Sequence, residues 1–323
     1  MTEKVLITGI TGMDGSILAD MLLEKGYDVC GIVRRSSTFN TSRIDHIKDK
    51  LSLFYGDMLD QPSLISVLAQ VRPSMIFHMA AQSHVRVSFD APETTFDITG
   101  KGTLNLLEAV RANNLTKDVR IYNATSSEMF GDVVQVPQNE LTRFRPCSPY
   151  GVAKVASYHM ADVYRKSYGM FICNGILFNH EHYRRGDNFV TQKIAKNVAE
   201  IHFGLKNTFA LGNIDAKRDW GWAPDYMDAA FKMLQHNTPD DYVVATGETH
   251  SVKEFLHEAC KCVCIDPETS VTFDKRLHRP SEVNLLLGDA SKIRDTLEWS
   301  PSVQFKQLVS TMVEHQMSRM FPG

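Results

Sequence analysis

An α/β chain built on a doubly wound parallel sheet, with a smaller α/β region after it, is what this sequence predicts, and three observations carry the prediction. Short apolar runs of strand character alternate with amphipathic helical stretches through the first 178 residues. Three glycines, Gly9, Gly12 and Gly15, stand between the first run and the first helix. Beyond Phe178 the alternation weakens and polar motifs crowd together. With 323 residues, 43% of them hydrophobic, the chain is large enough to bury such a core. The sheet domain is expected over residues 1–178 and a second region over 179–323, with part of 213–248 returning to the sheet.

Val5 to Thr8 reads as a buried strand and Ile17 to Glu24 as a helix. The glycines between them permit a tight turn, and the helix N-terminus turns unpaired N–H groups and positive dipole toward an anion. The spacing is Gly-x-x-Gly-x-x-Gly rather than Gly-x-Gly-x-x-Gly. Its place at the first strand-to-helix junction nonetheless points to the pyrophosphate of a dinucleotide. Tyr27 to Val33 is the second strand and runs into Arg34-Arg35-Ser36-Ser37. An acidic residue here suits the ribose hydroxyls of NAD, whereas guanidinium and hydroxyl groups suit the 2′-phosphate of NADP. Which of Arg34 and Arg35 grips it stays open.

Leu51 to Tyr55 is a third strand, closed by Gly56-Asp57, whose carboxylate can accept from an adenine amino group. Asp60-Gln61-Pro62 starts the next helix. Met75 to Ala81 is a fourth strand, in which small Ala80 and Ala81 let a cofactor lie close and His78 packs internally. One long helix is expected from about Glu93 through Ala112, with Leu104, Leu107 and Val110 facing inward and Lys101 near its start. Val119 to Ala124 and Phe171 to Phe178 complete the strands of this part.

The strand ending at Ala124 delivers Ser126 and Glu128 just past its carboxyl end, where open α/β sheets bind ligands. Ser148-Pro149 then begins a helix with serine as N-cap and proline at the first helical position. Tyr150 and Lys154 fall one turn apart on one face, in the first turn where the helix dipole favours negative charge. A free phenol of pKa about 10 is a poor base at neutral pH. An ammonium within about 4–6 Å lowers it by roughly 1–3 units, and a positively charged nicotinamide pushes the same way. A tyrosinate base for a sugar hydroxyl is the expectation.

The formal charge is −3, from 35 basic and 38 acidic residues, so no broad footprint for nucleic acid or anionic membrane exists. No apolar run approaches the ~18–20 residues of a span, and the chain enters Val5-Leu6-Ile7 without a leader, which places the expectation in the cytoplasm. Six cysteines in this length do not suggest a disulfide scaffold. Cys260-Lys261-Cys262-Val263-Cys264 lacks Cys-x-x-Cys spacing, and His180-Glu181-His182 brings only two imidazoles, so no metal is expected. The cationic and amide groups cluster instead. Asn179-His180-Glu181, Arg184-Arg185-Gly186, Phe189 to Lys193, Leu211 to Trp220 and Arg279 to Val283 supply what a nucleotide-sugar diphosphate needs.

Assembled, these motifs resemble the extended short-chain dehydrogenase/reductase family, of Rossmann fold, and within it the GDP-mannose 4,6-dehydratase family, over nearly the whole chain. The glycine triplet and Tyr-x-x-x-Lys are shared across the larger family. More specific are Gly9 to Ser16, Arg34 to Ser37, Phe178-Asn179-His180-Glu181, Leu211 to Gly221 and Leu285 to Asp289. The resemblance implies Tyr150 as base for the C4 hydroxyl, Lys154 as its partner, Glu128 as acid and base at C5 and C6, and Ser126, where the family commonly has Thr, bonded to the C4 oxygen. It implies NADP held by Gly9, Thr11, Gly12, Met13, Asp14, Gly15, Arg34, Arg35, Ser36, Asp57, Met58, Ala80, Ala81, Ser83, Tyr150, Lys154, His180 and Arg185. For GDP-mannose it implies Ser126, Glu128, Asn179, Lys193, Arg218, Arg279 and Glu282. It also implies a homo-oligomer, tetramer or dimer, with the Arg35 to Arg43 loop reaching a neighbouring subunit.

Departures from the family pattern are His182-Tyr183 for Ser-Pro, Gln192 for Arg, and Trp222-Ala223-Pro224 for His-Ala-Lys. They leave room for a second expectation, NADPH-dependent reduction of the 4-keto product. A UDP- or dTDP-sugar enzyme on the same scaffold and a catalytically idle nucleotide-sugar-binding protein are the competing readings, since fold alone proves no chemistry.

Overall fold

The computed structural model describes residues 2–38, 40–277, 281, 283 and 285–320. From the N-terminus, β1 (Lys4–Thr8), α1 (Met13–Glu24), β2 (Asp28–Val33), β3 (Ser52–Tyr55), α2 (Gln61–Val71) and β4 (Met75–His78) alternate. Three helical segments follow, α3 (Val85–Asp90), α4 (Pro92–Phe96) and α5 (Gly102–Ala112), and then β5 (Arg120–Ser126), α6 (Pro149–Tyr168) and β6 (Phe171–Leu177).

The polar region holds β7 (Asn179–Glu181), α7 (Val190–His202), β8 (Phe209–Leu211), β9 (Lys217–Arg218), β10 (Trp220–Trp222), α8 (Ala223–Gln235) and β11 (Asp241–Val244). After these come β12 (His250–Ser251), α9 (Val252–Cys262), α10 (Pro267–Ser270), β13 (Val271–Phe273), α11 (Ser291–Leu297) and α12 (Phe305–Met320).

Seven strands form one parallel sheet in the order β11-β6-β5-β4-β1-β2-β3. Apolar cores lie on both faces. One joins Val5, Ile7 and Phe77 to α1 and α8, and the other joins Leu6, Ile76 and Ile121 to α2 and α5. This double covering is why the strands read as continuous apolar runs. Residues 241–244 return to the sheet beside β6. A third core, around Trp220, Phe255 and Leu308, unites α7, α9 and α12 beside the short strand pairs.

Two expected elements differ. Helix α1 begins at Met13, four residues before Ile17, because Gly12 already serves as its N-cap. The expected helix from Glu93 to Ala112 is broken: α4 ends at Phe96, and Asp97–Lys101 forms a π-helical turn before α5. The wider turn lets Thr99 and Gly100 bury, and Leu106, Leu107 and Val110 carry the inward face while Leu104 is only partly covered. Apolar periodicity does not register a π turn, because it adds one residue without changing composition.

Candidate active site

The carboxyl ends of β1, β4 and β5 meet where the strand order reverses beside β1. At β1 the chain turns through Gly9, whose φ of +73° and whose approach to Ala80 leave no room for a side chain; a Cβ there would lie 2.9 Å from the Ala80 nitrogen. Gly15 is as constrained, since its Cβ would meet the Gly9 carbonyl oxygen at 2.4 Å. Gly12 caps α1 with extended backbone and no side-chain hydrogen bond. The first amides of α1 therefore face outward beside Thr11, Met13 and Asp14, an arrangement that fits a dinucleotide pyrophosphate.

Arg34, Arg35 and Ser36 are exposed beyond β2, and among the described residues no carboxylate pairs with either guanidinium. Asp57 is partly committed, since its Oδ1 accepts from the Leu59 backbone at 2.9 Å. Met58 is buried and its carbonyl accepts from Asn105 Nδ2 at 2.7 Å. Ala80 donates its N–H to Thr8 Oγ1 at 3.2 Å, Ala81 is half-buried, and Ser83 is exposed. His78 is held between Thr8 Oγ1 at 2.8 Å and Thr103 Oγ1 at 3.1 Å. Burial, then Lys154, pulls its pKa down to about 3, so it packs as a neutral ring. Arg43 folds back on its own chain, donating to the Arg184 carbonyl at 2.7 Å and the Thr11 carbonyl at 3.5 Å.

Ser126 ends β5, and its hydroxyl accepts from the Glu128 backbone N–H at 3.2 Å, which winds Ser127–Met129 into a 3-10 turn. Ser148 Oγ accepts from the Gly151 N–H at 3.0 Å and starts α6. Gly151 is required there, because a Cβ would sit 2.8 Å from the Glu128 carbonyl oxygen. The strand end and the helix start are thus pressed together, and Ser126, Glu128, Tyr150 and Lys154 share one place.

The expected electrostatics need correction. Burial pushes the Tyr150 phenol up to about 12; its hydrogen bond with Ser126 pulls the other way, and Glu128 adds to the rise. Burial likewise draws Lys154 down to about 8 against the pull of Asp14. The Lys154 ammonium donates to the Ala124 carbonyl at 2.5 Å and stands 5.9 Å from the Tyr150 ring centre, so the protein's own groups do not make a tyrosinate. At the phenol, desolvation outweighs the Ser126 hydrogen bond.

His180 bridges the two halves of the site. Its Nε2 lies 3.1 Å from Asp14 Oδ1, and its Nδ1 donates to the Phe178 carbonyl at 2.8 Å. Burial opposes charge on both partners, yet His180, Arg185 and Lys154 together hold Asp14 below its usual range, and Asp14 raises His180. Close by, Asn179 Oδ1, Glu181 Oε2, Arg185 Nε, Thr191 Oγ1 and Gln192 Oε1 are buried without a hydrogen-bond partner among the described residues. Arg185 stands 3.3 Å from Glu181 without hydrogen-bond alignment and stacks its guanidinium 3.7 Å from the Phe189 ring centre. Buried polar atoms normally find partners, so this row marks where a polar ligand fits.

Lys193 is half-buried at the start of α7, and Arg218 is buried with its Nη1 donating to the Lys217 carbonyl at 2.9 Å. Arg279 and Glu282 lie outside the described residues. The departures converge: His182 and Tyr183 rings lie 3.7 Å apart, His182 and Trp222 4.6 Å, and Tyr183 stacks on His315 of α12 at 4.1 Å. Sequence reasoning missed the burial of Glu181 and Thr191 and the pairing of Asp14 with His180, which are 166 residues apart and carry no spacing signal. Among the described residues no group of three His, Cys, Asp or Glu is placed to hold a metal ion.

Fold and site together define an enzyme of the extended short-chain dehydrogenase/reductase class, of the epimerase and dehydratase kind. Solved structures of that kind superpose throughout: a Thermus thermophilus UDP-glucose 4-epimerase complex with NAD has a TM-score of 0.85 at 25% identity, covering 97% of this chain and 98% of its own. A Bacillus anthracis dTDP-glucose 4,6-dehydratase in complex with NAD has a TM-score of 0.85 at 18% identity, covering 99% and 97%, a likeness of fold alone. The family model for GDP-mannose 4,6 dehydratase matches residues 6–312, and the chain belongs to that family.

Relatives named GDP-mannose 4,6 dehydratase are 48% identical in Drosophila melanogaster, covering 98% of this chain and 87% of the relative, and 46% identical in Homo sapiens, covering 98% and 91%. The structure of RMD from Pseudomonas aeruginosa complexed with NADPH, at 24% identity, TM-score 0.82 and coverage of 98% and 100%, shares only the fold and lends nothing to the reductive expectation.

Proposed function

We propose that this protein converts GDP-mannose to GDP-4-keto-6-deoxymannose with NADP as its resident cofactor. The observation that carries the reading is the joining of Ser126, Glu128, Tyr150 and Lys154 beside the start of α1, whose amides receive no side-chain cap. NADP bound there would supply the hydride chemistry, oxidation at C4 and reduction at C6. Thr11 to Gly15 would hold its pyrophosphate by backbone amides, Arg34 and Arg35 would suit a 2′-phosphate, and Lys154 would serve its ribose. Ser126 orients the C4 oxygen.

Tyr150 takes the C4 hydroxyl proton, a step its raised pKa makes dependent on positive charge brought near the phenol. Oxidation at C4 acidifies the C5 proton, and buried Glu128 removes it. The same group protonates the departing C6 hydroxyl, and a proton returns to C5. Asn179, Lys193, Arg185 and Arg218 suit the diphosphate and nucleotide, with Arg279 and Glu282 as further ligands. Self-association is supported by exposed Phe96 on α4 and Val152 and Val163 on α6, although Arg43 is engaged by its own chain. Glu128→Gln tests the reading: GDP-mannose binding should persist, while formation of 4-keto-6-deoxy product falls by about 10²-fold or more. Near-normal turnover removes Glu128 from the role.

A further inference from the structure

Gln138 and Asp219 are both fully buried, and both direct their side chains at the backbone of one short segment, residues 285–289. Asp219 accepts four bonds. Its Oδ1 takes the Thr246 N–H at 2.8 Å and hydroxyl at 2.7 Å, and its Oδ2 takes the Gly247 N–H at 3.0 Å and the Gly288 N–H at 3.3 Å. Gln138 Oε1 accepts from the Leu287 N–H at 3.0 Å, while its backbone exchanges bonds with Leu287 and Asp289, each at 2.8 Å.

Lys217 adds its carbonyl to the Leu286 N–H at 3.3 Å. Gly288 must be glycine, since a Cβ there would meet the Ala245 Cβ at 2.2 Å and the Phe178 ring at 2.9 Å. The segment is thereby held from three sides: by the loop between Glu128 and Tyr150, by the arm bearing Arg218, and by the end of the sheet.

We propose that Gln138 and Asp219 are positioning residues for the substrate, fixing residues 285–289 so that the arm bearing Arg218 keeps its place relative to Glu128 and Tyr150. The inference rests on the dehydratase reading and adds to it two residues whose side chains are wholly buried. The Asp219 carboxylate is suited to the task because each oxygen faces two donors. An asparagine there, whichever way its amide turns, presents its NH2 group to two of the four donors, and hydrogen bonds to charged groups are the costly ones to lose.

Asp219→Asn and Gln138→Ala should raise the KM for GDP-mannose by about ten-fold or more. The kcat should stay within a factor of about three, as for a loss of uniform binding, and NADP affinity should be unchanged. The double variant should raise KM by less than the product of the single effects, because both residues hold one segment. GDP affinity by calorimetry should fall in parallel in both variants. Unchanged KM and GDP affinity in Gln138→Ala, or equal losses of kcat, NADP affinity and melting temperature, would overturn the proposal. If Asp219→Asn does not fold, Gln138→Ala decides alone. A wild-type enzyme that binds GDP but forms no 4-keto product defeats the dehydratase reading instead.

Discussion

Asp14 and His180 form the most consequential single contact outside the four proposed catalytic groups, because it joins the glycine turn to the strand that carries Asn179. The sign of its pH dependence follows from the two shifts. His180 is raised above 6.5, so its contribution to stability is full below 6.5 and is lost as pH rises through its folded pKa. Asp14 is lowered from 3.8, so its contribution is present above 3.8 and is lost as pH falls through its folded pKa. The melting-temperature difference between wild type and Asp14→Asn should therefore be largest between pH 3.8 and 6.5 and shrink above; a difference that grows toward alkaline pH refutes the ion pair. Arg34 and Arg35 are tested by titration: the Ala variant of the residue that binds the 2′-phosphate should lose about ten-fold or more in NADP affinity, with NAD little changed. Equal losses for both dinucleotides contradict 2′-phosphate recognition. At this scale Ser126, Glu128, Tyr150 and Lys154 were legible from a strand end and a helical spacing. The acidity of Tyr150 was not, because burial and the aim of Lys154 at Ala124 are set by packing.

Among the elements, the β1 to α1 turn has the least freedom. Gly15→Ala places a Cβ 2.4 Å from a backbone oxygen that cannot rotate away, so the turn itself must shift. The expected cost is about 1–3 kcal/mol of stability, measured by urea unfolding, together with weakened dinucleotide binding. Stability and binding both at wild-type level would show that the turn tolerates a side chain. This turn was readable because glycine chemistry is local. The π turn at Asp97–Lys101 was not, and neither was the early start of α1, since a glycine N-cap offers no side-chain capping signal.

For the whole molecule, the alternation of apolar runs and helices gave away the sheet, whose strands are covered on both faces, as far as β6. Less legible was the gathering of residues 179–192, 217–222 and 285–289 around that sheet's carboxyl edge, which depends on contacts such as Asp219 to Gly288 across 69 residues. No described helix is long and apolar enough to cross a membrane. In the proposed reaction one site oxidises C4, eliminates water across C5 and C6, and reduces C6 with the same hydride. It is tested most directly by turning over GDP-mannose deuterated at C4 with NADP-loaded enzyme and locating the label in the 4-keto product. Deuterium should appear in the C6 methyl group with no net accumulation of NADPH; deuterium lost to solvent, or reduced cofactor formed in step with product, rules out internal hydride transfer.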